Sequence, residues 1–174
     1  MSGRLNVEVR RSSRRTTAPA RPGWLRWLAL SMAAGIVAGI VWWLAAPGGA
    51  FYGQGKDYTV WPGRDLVLAG VCVLCGLLAG MLLARHAARY GTGAAARFLA
   101  VLAGGLLGSV LAWRVGVFAG DLFQTPPDNM PSPSMVFSLR SPSVLLLWPL
   151  AASAVVFVYA FLAYTFVPQP RTTR

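Results

Sequence analysis

Acidic residues are scarce in this chain: five among 174, against sixteen Lys and Arg. Only 12% of the residues are charged, 56% are hydrophobic and the mean hydropathy is +0.55, which a soluble domain of this length rarely shows. The long apolar runs contain no Asp, Glu or His, which excludes a proton relay of the usual carboxylate type. Their Ser and Thr residues are Ser31, Ser109, Ser153 and Thr165, too sparse to line an ion pore. No HExxH helix, phosphate-binding glycine loop or nucleophile elbow occurs, so the common enzymatic motifs are missing. No residue is read as catalytic, cofactor-binding or metal-ligating. The two cysteines, Cys72 and Cys75, both lie inside an apolar run and supply no disulfide framework. The single histidine, His86, has no second ligand-type residue beside it and reads as interfacial decoration rather than a metal site.

What is present is four long apolar runs, at residues 24–46, 66–84, 98–119 and 144–167. About twenty residues at a rise of about 1.5 Å cross a hydrocarbon core of about 30 Å. The expected fold is therefore all-α: an integral membrane four-helix bundle with a small extracytoplasmic cap of two loops. Residues 1–23 form a basic tail with Arg4, Arg10, Arg11, Arg14, Arg15 and Arg21 and one acid, Glu8; its Ser, Thr and Pro content predicts disorder. A second short tail follows at residues 168–174. A cleaved signal peptide competes for the first run, but the run exceeds the about 7–15 apolar residues of a signal core, and Trp42 and Trp43 at its end read as a membrane anchor.

In the loops, Tyr58 to Trp61 is β-favouring and ends at the turn signal Pro62-Gly63, Asp65 is placed as the N-cap of the second helix, and Met135 to Leu139 is a candidate strand that would pair with Tyr58 to Trp61. Gly91-Thr92-Gly93 predicts a tight turn between the second and third helices. Pro149 is expected to kink the outer end of the fourth.

The cations set the threading. Placing both termini and the middle hairpin in the cytoplasm puts twelve of the sixteen Lys and Arg there, and all four aspartates (Asp57, Asp65, Asp121 and Asp128) outside. The cation bias is the positive-inside signal for a multi-pass protein of the cell membrane. The same distribution argues against nucleic acid as a partner, because these charges flank apolar runs rather than cover a polar surface.

Three patterns are candidates for specific contacts. Gly35/Gly39, Gly76/Gly80 and Gly104/Gly108 are GxxxG pairs, whose glycines let two backbones approach where no hydrophobic drive exists. They serve packing within the bundle or, on a minority reading, docking to another membrane protein or a second copy. Arg114 near the outer end of the third run, with Trp113, Trp148 and Asp121, is a candidate site for an anionic membrane lipid or a partner. The competing reading is an interfacial anchor with one ion pair. Cys72 and Cys75 form a CxxC on one helical face. A four-span protein with that motif resembles quinone-linked disulfide oxidoreductases, but those need a second cysteine pair in an external loop, which this chain lacks.

Ala112-Trp113-Arg114-Val115-Gly116 and Leu147-Trp148-Pro149-Leu150-Ala151, in an Ala-, Gly-, Leu- and Arg-rich chain, give it the look of another group. It resembles a family of uncharacterised actinobacterial four-span membrane proteins, a domain of unknown function. That resemblance implies the same architecture and location and supplies no activity. The functional expectation is a non-enzymatic accessory or interaction protein of the cell envelope, with an outer-leaflet lipid binder second and a thiol redox protein third.

Overall fold

The computed structural model describes residues 23–51, 60–90, 93–123, 137 and 139–166. The predicted tails, the Gly91-Thr92 part of the tight turn, Tyr58-Thr59 and most of the Pro-rich connection lie outside these residues. Helices run over Gly23–Ala45 (α1), Val60–Tyr90 (α2), Ala94–Phe123 (α3) and Leu147–Phe166 (α4). The 3-10 helix Pro142–Leu146 leads directly into α4. All four helical segments are long and apolar enough to cross a membrane. Their outward faces carry Leu30, Val37, Leu78, Leu107, Leu150 and Phe157, all well exposed. A soluble protein does not leave such a surface to water, and lipid requires it. The fold is an all-α four-helix bundle of a multi-pass membrane protein.

α2 and α3 exceed their predicted spans at both ends. Thirty residues of α3 make about 45 Å of helix, so its last turns extend past a hydrocarbon core of about 30 Å. At α2 the Pro62-Gly63 signal does not interrupt the helix. Pro62 occupies the first turn, where an amide proton would have no intrahelical acceptor anyway. Asp65 is consequently not an N-cap but lies more than a turn inside α2. Val60 and Trp61 are helical rather than extended, and Phe137 and Leu139 are not in a strand. No strand occurs among the described residues.

Packing runs along the glycines. α1 lies closest to α3 and α2 closest to α4, and sequential helices touch less. Gly35 meets the backbone of Gly108, Gly39 meets Ala112, and Gly116 receives the Trp42 ring, so α1 and α3 run parallel. Gly76 abuts Trp148 and Ala151, and Gly80 abuts Ala152 and Val155, so α2 and α4 are parallel too. Gly104 takes Ser31 against it. The α3 stripe continues to Gly120, against Phe137. All three predicted GxxxG pairs therefore close contacts inside this one chain. Gly93, at φ 71°, supplies the left-handed residue that turns α2 into α3.

Pro149 shapes the head of α4. As the third residue of that helix it has no N–H to give Leu145, four residues back. The Leu145 carbonyl is instead satisfied across the bundle by the Ser109 hydroxyl at 2.8 Å. That hydroxyl also lies 2.8 Å from Leu106 O, so its one proton is shared between the two. Ser109→Ala is expected to leave a carbonyl unpaired in the bilayer interior and to lower stability by about 1 kcal/mol. Thermal unfolding of the detergent-solubilised protein measures this. An unchanged melting temperature would mean Leu145 needs no partner there.

Candidate functional site

The buried core is concentrated at the end of the bundle remote from Gly23 and Phe166. Trp42, Leu68, Cys72, Ala112, Phe137, Leu145 and Trp148 are its larger members, while the other end buries a smaller set around Leu83, Ala84, Ala100 and Val101. At the core-rich end stands the one buried cation among the described residues, Arg64, at 6% exposure. Its Nε donates to Pro47 O at 2.7 Å, and its guanidinium lies 5.0 Å from the centroid of the Phe137 ring. Trp42 packs against the same ring, tilted by 52° with centroids 4.6 Å apart, and donates its indole N–H to Arg64 O at 2.9 Å. Gly48, at φ 77°, presents bare backbone to the guanidinium, where any side chain would collide with it. One arginine thus fastens the end of α1, the start of α2 and the segment before α4. A desolvated guanidinium on an aromatic face with a charge-assisted bond to a carbonyl is a strong latch.

The next residue faces the other way. Asp65 accepts the backbone N–H groups of Ser141 at 2.9 Å and Arg140 at 3.3 Å. These precede the 3-10 helix, whose N-cap Ser141 makes no side-chain cap of its own. The carboxylate therefore caps a helix start, but that of the fourth helical segment rather than its own. Beside this clamp a groove of about 490 Å³ opens between α2 and the 3-10 helix, lined by Pro62, Asp65, Leu66, Ala69, Arg140, Ser141 and Val144. Asp65, Arg140 and Ser141 give it one polar end. Leu66 and Ala69 of α2 and Val144 of the 3-10 helix make up its apolar wall.

The residues singled out from sequence are placed differently. Arg114 is exposed and packs over the ring of its neighbour Trp113, at 4.6 Å from the ring. Asp121 is exposed two turns further on and forms no ion pair with it. Trp148 is 1% exposed, and its indole spans Gly105 and Gly108 of α3, so it is a core residue and does not reach Arg114. The four candidates are not brought into one site. Cys72 is buried, Cys75 half-buried, and both thiols are free. Cys75 borders an almost wholly apolar recess of about 290 Å³ that also touches Trp27, Leu30, Ser31, Leu78 and Trp148. His86 stacks edge-on against Trp27 at 5.8 Å. No group of three potential metal ligands occurs among the described residues.

Sequence reasoning missed Arg64, Phe137, Arg140 and Ser141. The available signal was the Arg64-Asp65 pair at the lip of an apolar run, two opposite charges where lipid would favour neither. No protein-family model, curated protein or solved structure matches this chain.

Proposed function

We propose that this is a non-enzymatic protein of the cell membrane, with both termini in the cytoplasm, that works by holding a membrane lipid at its outer end. The observation carrying this reading is the groove beside Asp65, Arg140 and Ser141, polar at one end and apolar along its length. A headgroup and the first part of an acyl chain have that division of polarity, and the groove lies where bilayer and water meet. The positive-inside count supports its placement in the outer leaflet. The glycine stripes favour this reading over an accessory subunit docked through them, because each is already filled by a helix of the same chain. Membership of the actinobacterial four-span group agrees with the architecture and is part of the proposal.

Filling the groove tests it. Ala69→Phe places a ring in the apolar limb, whereas Gly70→Phe lies on the adjacent face, where a side chain's first carbon meets nothing within 4 Å. In protein purified gently in lipid discs, the alanine variant is expected to lose most of its retained phospholipid, measured by mass spectrometry, and the glycine variant to keep it. Equal retention by both would remove the groove from consideration.

A further inference from the structure

The apolar recess beside Cys75 is a slot between α1 and α2, two helices that touch little. Leu30 and Ala34 wall it on one side, Leu78, Ala79 and Leu82 on the other. Leu30, Leu78 and Leu82 are well exposed, so the slot opens sideways to the bilayer, where only hydrocarbon chains stand beside it. It runs about 10 Å along the helix axes, from Ala34 to Trp27 and from Cys75 to Leu82. At its far end the rings of Trp27 and His86 meet at 5.8 Å and join the two helices. There the rims turn basic. Arg26 stands four residues before Leu30, and Arg85 three after Leu82; residues so spaced are neighbours on a helix face. Both arginines are exposed. The charge around them can be counted over the whole chain. The two tails, the turn between α2 and α3 and the helix ends beside them carry twelve arginines and one acid, Glu8. The other four cations share the opposite end with all four aspartates.

We propose that this slot is a second lipid site, specific for an anionic phospholipid, with the phosphate between Arg26 and Arg85 and one acyl chain laid between α1 and α2. The threading proposed above places it in the cytoplasmic leaflet. Guanidinium forks bond phosphate bidentately, and each basic residue at the membrane surface strengthens the hold on an anionic lipid about fivefold. A choline lipid offers the same phosphate, but its ammonium would be brought against the surplus of arginines. Free phosphate or an acidic protein segment would use the arginines and leave the apolar slot empty. A ligand with both parts fills both. The site stands on α1 and α2 alone and needs nothing from the groove beside Asp65.

The test titrates phosphatidylglycerol and phosphatidylcholine of matched short chains into the detergent-purified full chain, with binding followed by native mass spectrometry. Phosphatidylglycerol is expected to bind saturably and about tenfold more tightly than phosphatidylcholine. Arg26→Gln with Arg85→Gln is expected to remove that preference at an unchanged melting temperature, because both side chains are exposed. Arg10→Gln with Arg11→Gln takes the same charge from the N-terminal tail and is expected to keep most of it. Ala79→Phe fills the slot and should weaken phosphatidylglycerol, whereas Ala69→Phe fills the outer groove and should leave the preference unchanged. If Ala79→Phe melts well below the parent protein, the two arginine pairs decide alone. Equal affinity for the two lipids, or a preference that survives Arg26→Gln with Arg85→Gln, would overturn the inference. Equal loss in both arginine pairs would overturn it too, by assigning the preference to the general field of the basic end. A preference abolished by Ala69→Phe would move the anionic lipid to the outer groove and leave the slot without a ligand.

Discussion

Gly35→Val is expected to abolish the well-packed bundle. A side-chain carbon at that position would run into the O, Cα and C atoms of Gly108. These are backbone atoms of a helix, so no rotamer change can relieve the collision. α1 and α3 would have to separate, and the contacts of Gly39 with Ala112 and Gly116 with Trp42 would open with them. Overpacking costs about 1–3 kcal/mol where side chains can adjust, and more where they cannot. Against a total stability of about 5–15 kcal/mol, a loss near or above the top of that range is severe. Gly70→Val is the matched control: nothing lies within 4 Å of its added carbon, and the change is expected to fall within about 0.5 kcal/mol. Thermal melting and size-exclusion profiles in detergent measure both. A Gly35→Val protein that melts with the parent would show that α1 and α3 do not pack as described.

The same pair of helices shows where the sequence was legible. Four crossings were readable because apolar runs of twenty residues have almost no other use. Partner choice was not, since GxxxG occurs in three helices and the motif says only that a backbone will come close. Space decides it: Trp42 needs the flat surface that Gly116 provides, and Trp148 needs Gly105 and Gly108. Trp148 misled for a related reason. Tryptophan at the start of an apolar run usually marks the interface. Here the 3-10 helix Pro142–Leu146 precedes it and carries it into the bundle. At the site, Pro62-Gly63 reads equally as a turn or as a first helical turn, and the wrong choice moves Asp65 from the body of α2 to its cap. Asp65 does accept backbone N–H groups, but those of Arg140 and Ser141 just ahead of the 3-10 helix, so the expected N-cap of α2 is not formed. Such long-range pairing, 76 residues apart for Ser141, has no local sequence signature.

Removing the latch should be nearly as damaging as forcing α1 from α3, and by a different route. Arg64→Ala deletes the bond to Pro47 O, uncovers the Phe137 ring and leaves a space beneath Gly48. A charge-assisted hydrogen bond contributes about 1.5–3 kcal/mol, and a desolvated cation–π contact about 2 kcal/mol. The terms overlap, so a loss of about 3 kcal/mol is expected rather than their sum. Arg64→Lys keeps a stem and a charge but not the planar fork, and should recover only part of the loss. Arg64→Met restores the packing without the charge. If it melts like the parent protein, the guanidinium is filler and the latch does not exist. Gly48 offers a sharper check. Gly48→Ala suffers twice, from its φ of 77° and from collision with the guanidinium. The backbone part costs about 1–2 kcal/mol wherever an alanine takes that conformation, whereas the collision disappears once Arg64 is gone. Gly48→Ala should therefore be less damaging in an Arg64→Ala background than in the parent chain. Strictly additive effects in that double-mutant cycle would place the guanidinium away from Gly48, and with it the joint that ties the end of α1 to the head of α2.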